Sequence, residues 1–254
     1  MYSLCIAPDG SVYAALRGLA SPGAEHGRLP VIYHISPEGK LLNSFTVGER
    51  EWNIVDSMAT DAQGRLYMRM RMQEDGSYVR IYSAEGELIG TVADDDSYAV
   101  QGAGALGQGK DGKVYAAAQA VGNTTAGDMA MTLVSVDPES LRLVPVAGGE
   151  NVICSADTIY PWKMVAAGVS DGSDFILWGY SGVDTYRLED AEFTRAQEVW
   201  EMPCGTEGTC AVIVPDGRIL YIGATGGVQG QTAAGVDISG KDPAKTYFYY
   251  EPLK

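Results

Sequence analysis

Residues 55–92 constrain the fold most, because short alternating stretches follow one another there with tight turns rich in Gly and acidic residues between them. Apolar side chains recur at every second position from Leu66 to Met72, and the alternation resumes after the next turn. A period of two residues predicts β-strands, and a turn such as Glu85-Gly86 between two such stretches predicts a hairpin. We therefore predict four antiparallel strands in about 40 residues, the size of one propeller blade.

The same unit recurs along the chain, around turns such as Pro8-Asp9-Gly10, Lys110-Asp111-Gly112 and Pro215-Asp216-Gly217. An aromatic residue follows the first turn of every copy: Tyr13, Tyr67, Tyr115, Trp178 and Tyr221. Irregular spacing of this kind fits blades with loops of variable length. Residues 1–254 are thus predicted to form one all-β domain, a β-propeller of about five four-stranded blades. The predicted blade ranges are 1–47, 48–95, 96–148, 149–202 and 203–254.

The last unit, residues 203–254, is predicted to contain three strands and to be incomplete. Propellers protect their edges because an open strand edge invites aggregation. Two explanations stay open. The ring closes with a three-stranded blade, or the chain is a piece of a larger propeller.

The chain is strongly acidic, with 33 Asp and Glu against 18 Lys and Arg and a net charge of -15. Nucleic acids and anionic membrane surfaces attract positive charge, so the composition argues against both as partners. No apolar run reaches the roughly 18 residues of a membrane span, and no signal-peptide pattern is present. We expect a domain that lacks its own signal peptide and is extracellular or at the cell surface, with a cytoplasmic location as the alternative.

The connections after the second and fourth strands of each predicted blade lie at one end of the domain, and most of them are long. Binding residues concentrate on loops that a rigid scaffold holds. The links that enter the blades nearest the channel carry six candidate ligand-binding residues: Glu51, Trp52, Asn53, Asp157, Tyr160 and Trp162. Aromatic rings beside carboxylates suit sugars, peptides or amines. The face with the long loops is therefore the predicted site.

Plainer roles stand beside this prediction. Trp52 and Trp162 also fit packing between blades, because large aromatic side chains usually serve packing. The run Asp94-Asp95-Asp96 fits a solvated loop. A calcium ion needs several converging oxygen atoms, which a sequence does not display. No cofactor is therefore predicted, with calcium kept open as the one candidate metal.

Residues for other chemistry are few. The two His are His26, in a Gly- and Pro-rich loop, and His34, on a strand and predicted to be a surface or core residue. The sequence lacks zinc-ligand spacing, a G-x-S-x-G elbow and a phosphate-binding glycine loop. Four Cys are compatible with disulfides: Cys5, Cys154, Cys204 and Cys210. Free buried thiols at Cys5 and Cys210 are an equal alternative. No catalytic residue is assigned.

The repeated unit of strand, Asp-Gly turn, strand and aromatic residue resembles the NHL and TolB-like β-propeller superfamily along nearly the whole chain. The resemblance implies a propeller fold and a domain outside the membrane in bacteria, sometimes attached to a larger receptor or solute-binding protein. Streptogramin-lyase-like propellers use His residues at the channel mouth, and this chain has no obvious pair. Lactonase-like propellers hold a metal there with Glu, Asn and Asp, for which Glu51, Asn53 and Asp157 are the candidates.

The first functional expectation is a non-catalytic module that binds a small molecule such as a sugar or peptide, or a partner protein, on its long-loop face. The second is a metal-dependent hydrolase or lactonase of the same fold. The third is a structural module of a larger polypeptide. Because neither enzyme family's pattern is matched in full, an enzyme is not favoured at this point.

Overall fold

The structure, a computed structural model, describes the chain in fourteen ranges. They are residues 3–17, 29–48, 54–72, 76–92, 98–99, 106–120, 131–149, 163–166, 174–178, 183–189, 192–199, 210–213, 218–224 and 246–252. Every regular element in these ranges is a β-strand, which confirms the all-β prediction. Within these ranges, nothing forms a helix long and apolar enough to cross a membrane.

The strands form five antiparallel sheets. The first contains β1 (Ser3–Ile6), β2 (Val12–Arg17), β3 (Pro30–Ile35) and β4 (Leu41–Thr46). The second contains β5 (Ile54–Thr60), β6 (Leu66–Met72), β7 (Gly76–Tyr82) and β8 (Leu88–Val92). The third contains β9 (Tyr98–Ala99), β10 (Gly107–Gln108), β11 (Val114–Ala120), β12 (Met131–Asp137) and β13 (Arg142–Pro145), with β9 and β10 both paired to β11.

The two remaining sheets are described through their backbones. The fourth contains β14 (Lys163–Ala166), β15 (Asp174–Trp178), β16 (Val183–Glu189) and β17 (Glu192–Val199). The fifth contains β18 (Cys210–Ile213), β19 (Arg218–Ala224) and β20 (Thr246–Pro252). The strands of each sheet fall within the range of one predicted blade. The number of blades and the closure of the ring stay predictions.

The hairpin turns share one geometry, as their sequences predict. The Ala7 N–H donates to the Ser11 carbonyl at 2.8 Å, and the Gly10 N–H donates to the Ala7 carbonyl at 2.9 Å. Gly10 has a φ of +83°, in the left-handed region that glycine enters without steric cost. The same pair of bonds and a left-handed glycine recur in four further turns, at Gly39, Gly64, Gly86 and Gly112. This is a three-residue hairpin loop that ends in a left-handed residue, which joins antiparallel strands tightly.

The alternation along β6 places its side chains on two buried faces. Leu66, Met68 and Met70 pack in a core shared with the first sheet. Tyr67 lies on the opposite face, in a core shared with the third sheet, as do Val79 and Ile81 of β7. The predicted faces are thus confirmed for these residues. The second sheet is a layer between two others, so both of its faces are apolar.

The repeated aromatic residue has one role in three sheets. Tyr13, Tyr67 and Tyr115 are each the second residue of the second strand, and each is only 1% exposed. Trp178 ends β15 and Tyr221 is the fourth residue of β19, so these two occupy other register positions. The sequence pattern treated five residues as equivalent, whereas strand register equates only three of them. The three equivalent tyrosines each lie three residues after the left-handed glycine of their turn, Gly10, Gly64 or Gly112.

The first strands of successive sheets contact one another, β1 with β5, β5 with β10, and β10 with β14. These four sheets are therefore arranged with their first strands toward a common centre. Glycines allow close approach between neighbouring sheets. A side chain at Gly86 would overlap the Phe45 ring, and one at Gly90 would overlap Leu141.

Candidate functional site

Strand direction separates the connections into two groups, as the sequence predicts. The turns from the first to the second strand and from the third to the fourth lie at one end of each sheet, and in the first three sheets they are short. The strand ends that flank residues 18–29, 121–130 and 146–162, between β2 and β3, β11 and β12, and β13 and β14, lie at the opposite end. We call these the short-turn end and the long-connection end.

All six predicted ligand-binding residues lie outside the described residues, and their positions in the chain can be compared only with the strands that follow them. Glu51, Trp52 and Asn53 directly precede Ile54, the first residue of β5. Asp157, Tyr160 and Trp162 precede Lys163, the first residue of β14. Both β5 and β14 are first strands that contact the first strand of a neighbouring sheet. Both segments therefore precede innermost strands in the sequence, and whether the six side chains converge stays a prediction.

A cavity of about 440 Å³ lies at the short-turn end between the second and third sheets. Its walls carry charged side chains from both sheets, including Asp61, Arg65, Asp111, Lys113, Asp137 and Glu139. Val114 and Val136 contribute apolar surface. No sequence pattern predicts this cavity, because it forms between sheets rather than within one repeat.

Asp61 is the centre of the polar network in this cavity and is only 2% exposed. Its Oδ1 accepts hydrogen bonds from the Gln63 and Arg65 backbone N–H groups at 3.0 and 2.9 Å. Its Oδ2 accepts from Arg65 Nε at 2.5 Å and from the Tyr67 hydroxyl at 2.9 Å. Arg65 also donates to Glu139 of the third sheet at 3.2 Å. Desolvation, followed by the charge of Asp61 and its hydrogen bond, raises the pKa of Tyr67, so this hydroxyl remains a donor.

The third sheet repeats the tyrosine–carboxylate pair from a different sequence position. The Tyr115 hydroxyl donates to Asp111 Oδ2 at 2.7 Å, and Lys113 Nζ lies 3.9 Å from the same oxygen. Burial and the hydrogen bond to Asp111 raise the pKa of Tyr115. Asp61 precedes Tyr67 by six residues, whereas Asp111 precedes Tyr115 by four. The two carboxylates therefore bind the hydroxyl groups of equivalent tyrosines from different positions in the turn. Every polar side chain named in these two networks has a charged or hydrogen-bonding partner, which is typical of a structural role.

His34 belongs to the core, one of the two roles predicted for it, and not to a nucleophile pair. Its Nε2 lies 2.8 Å from Ser11 Oγ, and its ring stacks on Tyr13 with centroids 4.0 Å apart. Ser11 is 1% exposed, and its hydroxyl donates to Asp9 Oδ1 at 2.6 Å. Since the Ser11 proton points to Asp9, His34 Nε2 is the donor to Ser11. A serine oriented in this way, and shielded from solvent, is held for packing rather than for attack on a substrate.

Desolvation lowers the pKa of His34, which keeps the ring neutral. Cys5 is a free thiol in the first sheet, and burial raises its pKa to about 12. A buried thiol with such a pKa is unreactive. Within the described part of the chain, no three His, Cys, Asp or Glu side chains are grouped in a way that would hold a metal ion. Asp94-Asp95-Asp96 lie outside that part, as do His26, Cys154 and Cys204.

Comparison with known proteins gives structural matches only. No protein-family model matches the chain, and no curated protein matches it. A protein of unknown function from Dyadobacter fermentans has a TM-score of 0.52 at 14% identity over 99% of this chain and 82% of its own. A gluconolactonase from Xanthomonas campestris has a TM-score of 0.50 at 13% identity over 86% of this chain and 67% of its own. A putative exo-beta-1,3-galactanase from Bifidobacterium bifidum has a TM-score of 0.50 at 15% identity over 88% of this chain and 81% of its own.

At such identities the likeness shows the fold, and the fold is that of β-propeller proteins. The propeller prediction is confirmed at this general level. Membership of the NHL and TolB-like group in particular stays a prediction. A propeller requires that the first strands of successive sheets lie around a common centre and that a sheet between two others is apolar on both faces, and both features are present here.

Proposed function

We propose that this chain is the propeller domain of a hydrolase that acts on a lactone or a related sugar-derived substrate at the long-connection end. This places the hydrolase ahead of the non-catalytic module that the sequence first favours. The observation that carries the proposal is the propeller architecture in which Ile54 and Lys163 begin innermost strands at one end. The segments before them supply the acidic, amide and aromatic side chains of the predicted site. The name of the Xanthomonas gluconolactonase, which shares the fold, supplies the reaction class.

The donor set suits a hard divalent cation. Glu51 and Asp157 offer carboxylate oxygens and Asn53 offers an amide oxygen, which are ligand types that Ca²⁺ and Mg²⁺ prefer. When bound, such an ion polarises a carbonyl group or lowers the pKa of a bound water. Trp52, Tyr160 and Trp162 would stack on the apolar face of a sugar ring and orient it. The net charge of -15 favours retention of a cation.

The test is hydrolysis of gluconolactone by metal-free protein, followed in a pH-stat before and after addition of calcium or magnesium. We expect activity only with metal, together with thermal stabilisation. A site that binds only the folded chain adds about 2.7 kcal/mol at a free metal concentration of 100 times Kd. Glu51→Gln and Asp157→Asn should remove both effects. Glu87→Gln is the matched control, because Glu87 is exposed in the turn between β7 and β8 at the opposite end.

Hydrolysis that persists in both site variants would refute the site, and failure of the unaltered protein to hydrolyse lactones with either metal would refute the reaction. The second candidate is the non-catalytic module, favoured by the three aromatic residues among the six. It predicts that sugars raise the melting temperature, that Trp52→Ala and Trp162→Ala remove this rise, and that no lactone is consumed.

A further inference from the structure

The face of the first sheet that points away from the second carries exposed apolar side chains. Leu4 is 48% exposed, Ile6 65% and Leu16 37%. Strand register gathers them, because Leu4 lies opposite Ala14 and Ile6 opposite Val12, on the same strand as Leu16. Val12, Ala14 and Leu16 are alternate residues of β2 and so share one face.

The corresponding positions of the second sheet are buried. Met58 of the second sheet corresponds to Leu4 of the first, because they pair with Met68 and Ala14, the third residues of β6 and β2. Thr60 corresponds to Ile6 in the same way, because they pair with Leu66 and Val12, the first residues of those strands. Met58 is 4% exposed and Thr60 is 1% exposed. Met70, the fifth residue of β6 as Leu16 is of β2, is 0% exposed. Met58 and Met70 pack in the core shared with the first sheet.

The third sheet repeats the arrangement. Val114, Ala116 and Ala118 are the first, third and fifth residues of β11, and they are 1%, 4% and 0% exposed. They pack in the core shared with the second sheet. In two successive sheets, therefore, these register positions form the surface that receives the preceding sheet. The first sheet has the same surface, but there Leu4, Ile6 and Leu16 are exposed, and they belong to neither apolar core cluster of the described residues.

Peripheral position does not account for this exposure. Leu41 and Leu88 occupy the same position on the outermost strands β4 and β8, and they are 59% and 52% exposed. The outer rim is thus open in the first and second sheets alike. The contrast between the two sheets is confined to the inner strands, where sheet-on-sheet packing takes place.

We propose that this face of the first sheet is the docking surface for one further antiparallel β-sheet of the same polypeptide, packed as the first sheet packs on the second. The docked sheet would present an apolar face with an aromatic residue at the second position of its second strand. Tyr13 of the first sheet and Tyr67 of the second occupy this position, and each packs against the sheet that follows. The face is continuous in register with two established interfaces, which selects a blade rather than a small ligand. Packed sheets of this kind lie about 10 Å apart.

The experiment supplies such a sheet and asks whether it docks. A second copy of residues 48–97 is fused ahead of Met1, and thermal unfolding is compared in the chain and in the fused chain. The Ile6→Lys substitution is made in both. We expect Ile6→Lys to leave the melting temperature of the original chain within about 1 °C, because exposed positions tolerate polar substitution. In the fused chain it should lower the melting temperature by about 4 °C or more, since the lysine would then be buried.

Leu88→Lys is the matched control, because Leu88 is as exposed as Leu4 but lies on an outer strand, and it should have little effect in either chain. Equal, small effects of Ile6→Lys in the two chains would overturn the proposal. A large effect in the original chain, with a monomer by light scattering, would show that the chain's own fifth sheet covers the face. A large effect that accompanies loss of a dimer would show that a second copy covers it. Either result would also overturn the proposal.

Discussion

Removal of the Asp61 carboxylate should be among the more damaging single changes in the described part of the chain. The carboxylate is buried and accepts four hydrogen bonds, two of them from Arg65, at distances from 2.5 to 3.0 Å. Truncation of one partner of a buried charge pair costs about 3–5 kcal/mol. Arg65 is a quarter exposed and keeps Glu139 as a partner. We therefore expect Asp61→Ala to lower the free energy of unfolding by about 3 kcal/mol, at the lower end of that range.

The contribution of the Tyr67 hydroxyl can be isolated by a double-mutant cycle. Tyr67→Phe removes a buried hydrogen bond to a charged group, a loss of about 1.5–3 kcal/mol. In an Asp61→Ala background the hydroxyl has already lost this acceptor, so the same substitution should cost much less. We expect a coupling energy of about 1–2 kcal/mol between the two residues. Urea unfolding, followed by tryptophan fluorescence and circular dichroism together, measures all four variants.

The matched comparison is Asp111→Ala with Tyr115→Phe in the third sheet. The Asp111 side chain is 32% exposed, so water replaces its lost bonds and we expect a loss of about 1 kcal/mol. If Asp61→Ala proves too unstable to study, Asp61→Asn keeps the shape and removes the charge, and we expect an intermediate loss. A coupling energy near zero for Asp61 and Tyr67, or equal losses for Asp61→Ala and Asp111→Ala, would refute the reasoning.

Three further predictions follow from burial and backbone conformation. Gly64 and Gly112 share a φ of +78°, but a Cβ at Gly112 would lie 2.4 Å from the Ala62 Cβ and one at Gly64 would meet nothing within 4 Å. Gly112→Ala should therefore destabilise more than Gly64→Ala, which should cost about 1 kcal/mol, and Ala62→Gly should rescue the difference in urea unfolding. The pKa of His34 is lower in the folded chain than when unfolded, so stability should fall as the pH drops below about 6.5, and His34→Gln should flatten that slope between pH 7.5 and 5. Burial raises the pKa of Tyr13 to about 12, above the value near 10 of an unfolded tyrosine, so stability should also fall above pH 10, and Tyr13→Phe should reduce that fall in urea unfolding.

Local signals explain what could be predicted from the sequence. Alternation from Leu66 to Met72 and a left-handed glycine at Gly64 or Gly86 act over a few residues, and both appear in the structure where the pattern places them. Register is less local. The sequence pattern equates Trp178 with Tyr67 because each lies after a turn, yet Trp178 is the last residue of β15, whereas Tyr67 is the second residue of β6.

Side-chain contacts, within a sheet and between sheets, are harder to predict from the sequence. Asp61 and Asp111 both bind the tyrosine of their own sheet, although their spacing to it differs by two residues. A motif with one fixed spacing between aspartate and tyrosine therefore matches only one of the two pairs, and it does not show that the two aspartates have the same role. The link from Arg65 to Glu139 joins residues 74 positions apart in different repeats, which no repeat pattern displays. The candidate site is harder still, since its six residues lie in long connections that carry no period.

We infer that the two ends of the domain serve different purposes, stability at the short-turn end and function at the long-connection end. At the short-turn end, Asp61 binds Arg65 and Tyr67 within the second sheet, and Asp111 binds Lys113 and Tyr115 within the third. The contact from Arg65 to Glu139 links the two sheets. A ligand in that cavity would have to displace bonds that already exist, and displacement of charge-assisted bonds is costly. We therefore propose that the functional site lies at the long-connection end, where insertions leave the strand pairing intact. We therefore expect activity to depend on Glu51, Asn53 and Asp157 rather than on the 440 Å³ cavity.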